Sequence, residues 1–542
     1  MNILKHAALG LAVAALTSCG GGGGGSSGGS DSGNTSSAIS ISLTPTSISE
    51  NLVQDLSLDL RLFATAQVQP GVTISGTVYV LIVDDKGVIE PDATVTGNGS
   101  EYSATLTTNP NLSVGDHKGS IKIEACADPG CHTVYGSTNL SYDFNMLSNT
   151  NLKTLSALSG AADWQPLNGN PGRTAYVPVT LAVSAFSPRW LYTETAPNFL
   201  LTQDEFLGAG AFATNTTNTV ATDSANDMVV LADGPYLIAL KETNGTTAWS
   251  NNVDPHDFGN PAAPALANGI VYTSQGLIDS SSRRGSELST YDETTGVAGF
   301  KTEYSPNLCS GCGTSPVTVV GTEAFLEPSD NVFAFDAGTG AELWASASGV
   351  NGGPPIALDN QDVYFVDDNM DGLVALDQPT GTLQYAIGTL TDELVSLDGA
   401  GGAIARAGDQ FAHVDLTTQS VDWKTPGIPA GSILTSSATG NGLLYTGMIG
   451  IDFEASVVAY STTDGHQLWS WSAPSGDGAT EVLSLIATKN LLFVGTDVVT
   501  YAIDVNTHAI VWSYPLGGGL SMSSNGILYI QGSDNVAAIN LH

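Results

Sequence analysis

The sequence predicts an all-β chain, with an eight-bladed β-propeller following a smaller β-sandwich. Three observations carry this. A motif ending in an aromatic residue recurs every 38 to 51 residues over the last two thirds of the chain. Period-two alternation broken by Gly, Asn and Asp fills residues 38–149. The roughly 500 residues after a Gly-rich stretch also exceed one ordinary hydrophobic core, so at least two domains are expected.

The N-terminus reads as an export signal. Lys5 and His6 precede the apolar run Ala7 to Leu16 and then small residues, the order of charge, core and cleavage site in a signal peptide, residues 1–18. The run is too short to span a bilayer. Leu16-Thr17-Ser18-Cys19 resembles the lipobox of bacterial lipoproteins. That resemblance implies lipidation of Cys19, and Gly20 after it implies the outer membrane, with the membrane face left open. Residues 19–37 are almost wholly Gly, Ser, Asp and Asn, a flexible tether. No later stretch reaches eighteen apolar residues.

Cys19 aside, the cysteines fall into two close pairs, Cys126 with Cys131 and Cys309 with Cys312. In an oxidising compartment such pairs read as small-loop disulfides. Cys309-Ser-Gly-Cys312 has redox or metal spacing, but Gly313 follows it, where haem attachment needs His, and no further zinc ligands lie nearby. The formal net charge of −38 with only 15 Lys plus Arg repels polyanions, so nucleic acid is not an expected partner. Membrane contact is expected only through the anchor, and oligomeric state is left open.

In residues 38–149, Leu56, Leu58, Leu60 and Leu62 alternate with polar residues, as do Ile121 and Ile123, and Asp84-Asp85-Lys86-Gly87 signals a turn. About 110 residues of such half-buried strands suit an immunoglobulin-like sandwich. The stretch Gly119 to Cys131 with Tyr135-Gly136-Ser137 resembles a bacterial immunoglobulin-like module with a small disulfide loop between late strands, a spacer in most proteins that carry it.

Residues 150–542 hold the repeat. It runs apolar-Ala-apolar-Asp, a Thr-Gly turn, then a strand ending in an aromatic. Leu237 to Trp249 and, best preserved, Val332-Phe-Ala-Phe-Asp336-Ala-Gly-Thr-Gly340-Ala-Glu-Leu-Trp344 are copies. Others end at Phe300, Tyr385, Trp423, Trp469 and Trp512, at spacings near one four-stranded blade. Gly supplies a positive backbone angle and Asp accepts turn amides. Each aromatic is expected to fill the gap between blades. The eighth blade is expected to be split. After Trp512 three strand-like runs, Leu520-Ser-Met522, Gly526 to Ile530 and Asn535 to Asn540, lack an aromatic fourth strand, which Trp190 within 181–193 can supply. Such closure leaves no open edge.

The pattern resembles the quinoprotein-like propeller repeat, shared by pyrroloquinoline-quinone (PQQ) dehydrogenases and the BamB-like assembly lipoproteins, over about 390 residues. Trp164 to Arg173 is similar to that family's lead-in, which packs on the ring before the first strand. The fold serves both an enzyme and a scaffold, so function rests on residues. The dehydrogenases have two adjacent cysteines over the cofactor and a carboxylate-held calcium; no two cysteines are adjacent here, and PQQ is not expected. No His is followed by Glu and no Lys is preceded by Gly, so zincin and phosphate-loop signatures are missing. Asp367, Asn369 and Asp371 before Gly372 have the alternate spacing of a calcium loop, but Ala375 and Gln378 stand where closing ligands belong, and a plain hairpin is favoured.

The expectation is a non-catalytic envelope scaffold for a protein partner, without a cofactor. The alternatives are a surface-exposed module binding a glycan or other ligand, and a PQQ-dependent dehydrogenase. Cys309 and Cys312 fall in a connection between blades, on a face where partners bind; the Ser274–Ser286 hairpin with Arg283 and Arg284 is expected on the opposite face.

Overall fold

The computed structural model describes residues 2–3, 7–9, 37–44, 46–54, 57–74, 76–90, 94–98, 100–148, 152–165, 168–194, 219–253, 261–278, 284–304, 315–329, 331–347, 356–367, 372–388, 390, 395–428, 432–450, 454–474 and 477–542. The chain divides into two compact units, Met1–Asn151 and Leu152–His542. Cys19 lies outside the described residues.

Unit 1 is two packed sheets. One orders the strands Ile39–Thr44, Asp59–Val68, Glu101–Thr107 and Thr94–Asn98. In the other, Val78–Asp84, Gly115–Cys126, Val134–Leu147 and Ser47–Val53 are neighbours in that order, and the short strands Asn2–Ile3 and Ala7–Leu9 pair along Val78–Asp84. The alternation seen in the sequence buries Leu60, Leu62, Ile121 and Ile123 between them. Cys126 and Cys131 are disulfide-bonded at the turn of the long hairpin.

Unit 2 is a β-propeller. Its described residues form eight four-stranded antiparallel sheets. Sheets 1 to 7 span residues 221–252, 265–304, 318–347, 357–388, 395–424, 433–472 and 482–514. Sheet 8 takes Gly519–Met522, Ile527–Gln531 and Asn535–Asn540 from the chain's last residues, and its fourth strand is Ser187–Thr193. Trp190 pairs with Ala538 in that register. Sheet 8 packs on sheet 7 in one apolar cluster and on sheet 1 in another, so the ring closes on itself.

The repeat motif has a physical reason at every position. In the third-to-fourth-strand turn, Asp336 Oδ1 accepts the N–H groups of Gly338 and Thr339 and the Thr339 hydroxyl. The following Gly340 has φ +71°, the left-handed region. Gly245, Gly296, Gly381 and Gly465 repeat this angle, and each stands against the ring of the preceding sheet's tryptophan: Trp190, Trp249, Trp344 and Trp423. Those tryptophans donate Nε1–H to the next sheet's backbone, at Glu242 O (2.8 Å), Glu293 O (2.7 Å), Gln378 O (2.9 Å) and Thr462 O (3.0 Å). Phe300 has no N–H, and there Thr302 Oγ1 donates to Gly340 O instead (2.8 Å). Trp469 stacks on His508, and Trp512 meets Phe186 edge to face. Tyr385 packs on the cluster shared by sheets 4 and 5. Opposite the aromatic, the third strand carries Ala239, Ala334, Ala375, Ala459 and Ala502, small enough to leave the ring its space.

Candidate binding face of the ring

Antiparallel order gives the ring two faces. First-to-second and third-to-fourth turns share one, the turn face. Second-to-third hairpins and the connections from one sheet to the next share the other, the connection face.

The centre of the turn face is occupied by the chain itself. Each sheet's first strand borders the central channel with open N–H groups, which need acceptors once buried. The lead-in supplies them in succession. Thr222 N–H donates to Trp164 O (2.9 Å), Leu266 to Gln165 O (3.3 Å), Leu358 to Pro171 O (2.8 Å) and Leu397 to Gly172 O (2.8 Å). Thr439 N–H donates to Thr174 O (2.7 Å), Ala487 to Ala175 O (2.9 Å) and Lys489 to Val179 O (2.9 Å). Trp164, Arg173, Ala175 and Val177 are buried there. The Arg173 guanidinium donates to Val395 O (3.2 Å), and burial lowers its pKa to about 10. The lead-in therefore fills the channel mouth on this face.

Asp163 fastens the start of that segment, accepting from Ser224 Oγ (2.8 Å), Ser524 N–H (3.0 Å) and Ser524 Oγ (3.0 Å). Beside it, wholly buried Glu242 accepts from Asn525 Nδ2 (2.8 Å) and the Tyr529 hydroxyl (3.0 Å), and Arg189 donates to Asn540 Oδ1 (3.0 Å). Polar groups joining residues 163–242 to residues 524–540 thus surround the seam where the first and last parts of unit 2 meet. This network gave no sequence signal, because its members are far apart in the chain and common in type.

The connection face carries the sequence's other candidates. Asp367 is buried and pairs with Gly372; Asn369 and Asp371 lie outside the described residues. Among the described residues no three His, Cys, Asp or Glu side chains converge on a metal-holding group. Cys309 and Cys312 also lie outside them, within the connection 305–314. Its two ends are placed: Tyr304 pairs with Ser286, and Ser315 N–H donates to Ser274 Oγ (3.0 Å). Both anchors belong to the second-to-third hairpin of sheet 2. This corrects the expected placement of that hairpin. In a four-stranded meander the second-to-third hairpin and the outgoing connection emerge on the same side, so the strand ends at Ile278, Arg284 and Tyr304 lie on the connection face; Arg283 lies outside the described residues. The strands Ile270–Ile278 and Arg284–Asp292 have 9 residues each, against 6 in each middle strand of sheet 1, so the hairpin is the longer by three residues a side.

A polar cluster, buried but for Lys301, lies at the hairpin's base. Gln275 Nε2 (3.0 Å), Ser289 Oγ (2.6 Å) and Lys301 Nζ (2.9 Å) all donate to Glu287 Oε1. The pull of Glu287 keeps the Lys301 pKa raised although burial opposes it. At sheet 7, burial and the Asp497 carboxylate push Glu481 up to about 7.

Residues 328–487 match the family described as "Outer membrane protein assembly factor BamB". Among solved structures, a europium-containing methanol dehydrogenase superposes with a TM-score of 0.52 at 12% identity, covering 70% of this chain and 98% of that one. BamB from Moraxella catarrhalis gives 0.45 at 20% identity, covering 60% of this chain and 97% of that one. No curated protein matches the chain. The family match over residues 328–487 and the dehydrogenase superposition support an all-β propeller with PQQ-type repeats.

Proposed function

We propose that the chain is an envelope lipoprotein, anchored in the outer membrane through Cys19, whose eight-bladed ring is a non-catalytic scaffold for a protein partner. The immunoglobulin-like unit serves as a spacer, and the partner docks on the connection face. One observation carries this reading: the lead-in lies across the channel mouth on the turn face with backbone bonds to six of the sheets, so a partner entering the channel there would have to displace it. The BamB-type repeat supports the same class. A quinone of the PQQ type carries several carboxylates and needs converging cations. Arg173, buried in the lead-in, donates to the Val395 carbonyl, a partner within the chain itself.

The test is partner capture from envelope extracts by the full chain and by a variant with Cys309 and Cys312 both replaced by Ser. The expected result is a tenfold weaker partner yield with an unchanged melting temperature. Collapse of the fold with normal binding by the residual folded protein would make the pair a structural staple and refute the placement.

A further inference from the structure

Unit 1 has two unlike ends. At one, the Ala38 carbonyl accepts the Gln69 N–H (3.0 Å), Ile39 pairs with Val68, and Gly136 stands against the Ile39 carbonyl. Val134 pairs with Cys126 at that same end. The other end holds Gly115 and Leu147, the far limits of the long hairpin. The strand Val134–Leu147 has 14 residues, so the ends stand roughly 45 Å apart at about 3.3 Å per residue.

The Gly-rich segment therefore enters at the first end. Three valines are exposed around that entry: Val68 at 36%, Val72 at 40% and Val134 at 45%. The turns that carry them, residues 66–74 and 132–136, contain no Asp or Glu in a chain with 53 acidic residues. Asp128, in the neighbouring disulfide loop, has its carboxylate taken up by the N–H groups of Gly130, His132 and Thr133 and by His132 Nδ1.

We propose that this valine-bearing end of unit 1 rests on the lipid surface, an inference that stands on the anchor reading above. The length of the connecting segment argues for that occupant. A Gly-rich chain of that length has an expected reach of roughly 23 Å, which keeps the tip within reach of the bilayer that holds the lipid. At so high a local concentration, weak apolar contact from three valines is enough to hold it there. The absence of Asp and Glu from the two valine-bearing turns lowers the repulsion that the acidic surface elsewhere would meet at anionic headgroups; Glu101, paired with Thr65, starts a neighbouring strand at this end. The far end, and the exit toward residue 152, then points away from the membrane.

The experiment uses the full lipidated chain in vesicles of phosphatidylethanolamine and phosphatidylglycerol with brominated acyl chains. All eight native tryptophans lie at Trp164 or beyond, so a tryptophan added to unit 1 reports on unit 1. Val72→Trp is the probe, and Val114→Trp, at the far end and 56% exposed in the native chain, is the control. Bromine should quench the added emission at position 72 at least twofold and leave that at position 114 unchanged. Equal quenching at both, or a blue-shifted emission at 72 that bromine does not quench, as a covering protein would give, overturns the proposal. Vesicle sedimentation separates the two readings. If the native chain does not sediment with the vesicles, the anchor reading falls and takes this one with it; if it sediments and position 72 is unquenched, the tip reading alone falls.

Discussion

Gly381→Ala should cost far more stability than Gly442→Ala, although both glycines sit in turns with the same backbone demand. Gly381 has φ +65° and Gly442 φ +77°, so each substitution forces Cβ into the left-handed region at about 1–2 kcal/mol. At Gly442 nothing lies within 4 Å of the added Cβ, and the cost ends there. At Gly381 the Cβ would fall 2.5 Å from Trp344 Cδ2 and Cε3. Trp344 must shift, losing its 2.9 Å bond to Gln378 O, worth about 1 kcal/mol. Overpacking adds about 1–3 kcal/mol, for a total near 4 kcal/mol. Urea unfolding followed by tryptophan fluorescence measures both variants. Equal midpoints would refute the claim that the turn glycine exists to seat the neighbouring sheet's tryptophan.

Two further predictions follow from the ring. A chain lacking residues 1–193 should melt well below one lacking residues 1–151, because only the first loses the fourth strand of sheet 8 and the lead-in; equal melting temperatures by calorimetry would contradict the split-sheet closure. His413 donates to Asp398 Oδ2 (3.1 Å) and Asp422 Oδ2 (3.0 Å) while stacked on Trp423; the bonds to Asp398 and then Asp422 raise its pKa, with Asp415 also nearby. Its stabilisation is then complete below the ordinary His value of about 6.5 and is lost as pH rises through the raised value. Burial opposes ionisation of Asp398, but His413 and the Ala400 and Gly402 amides hold it down to about 2, so its contribution fails only as pH falls from about 4 toward 2. The stability gap between the native chain and His413→Gln should be widest at pH 5–6 and should narrow at high pH; a gap independent of pH would sink the ion-pair account.

Side chains that fill a fixed space were legible in the sequence. Trp249, Trp344 and Trp423 recur because each fits between an Ala or His on its own sheet and the next sheet's turn, and the Asp and Thr of that turn recur because they bind its amides. The backbone angle alone does not require glycine: Gln419 and His508 hold the same turn position at φ 54° and 60°. Beside Trp469 a stacked imidazole takes glycine's place. His413 stands opposite Trp423 where other sheets carry Ala, and its two carboxylate partners left no pattern in the repeat. The path of residues 164–179 was illegible, since it is held mainly through main-chain carbonyls, which leave no residue pattern. The misplaced sheet 2 hairpin is a different case: strand direction alone puts second-to-third hairpins with the connections.

Docking of a partner on the connection face, as proposed, differs in its crosslinks from docking on the turn face, whose channel mouth the lead-in fills. A photo-crosslinking amino acid at Asn307, within the connection 305–314, compared with one at Thr463 in the sheet 6 turn, tests it most directly in intact cells. The account predicts one discrete protein adduct from position 307, reduced by the paired cysteine replacement, and none from position 463. Adducts from 463 with none from 307 would contradict it.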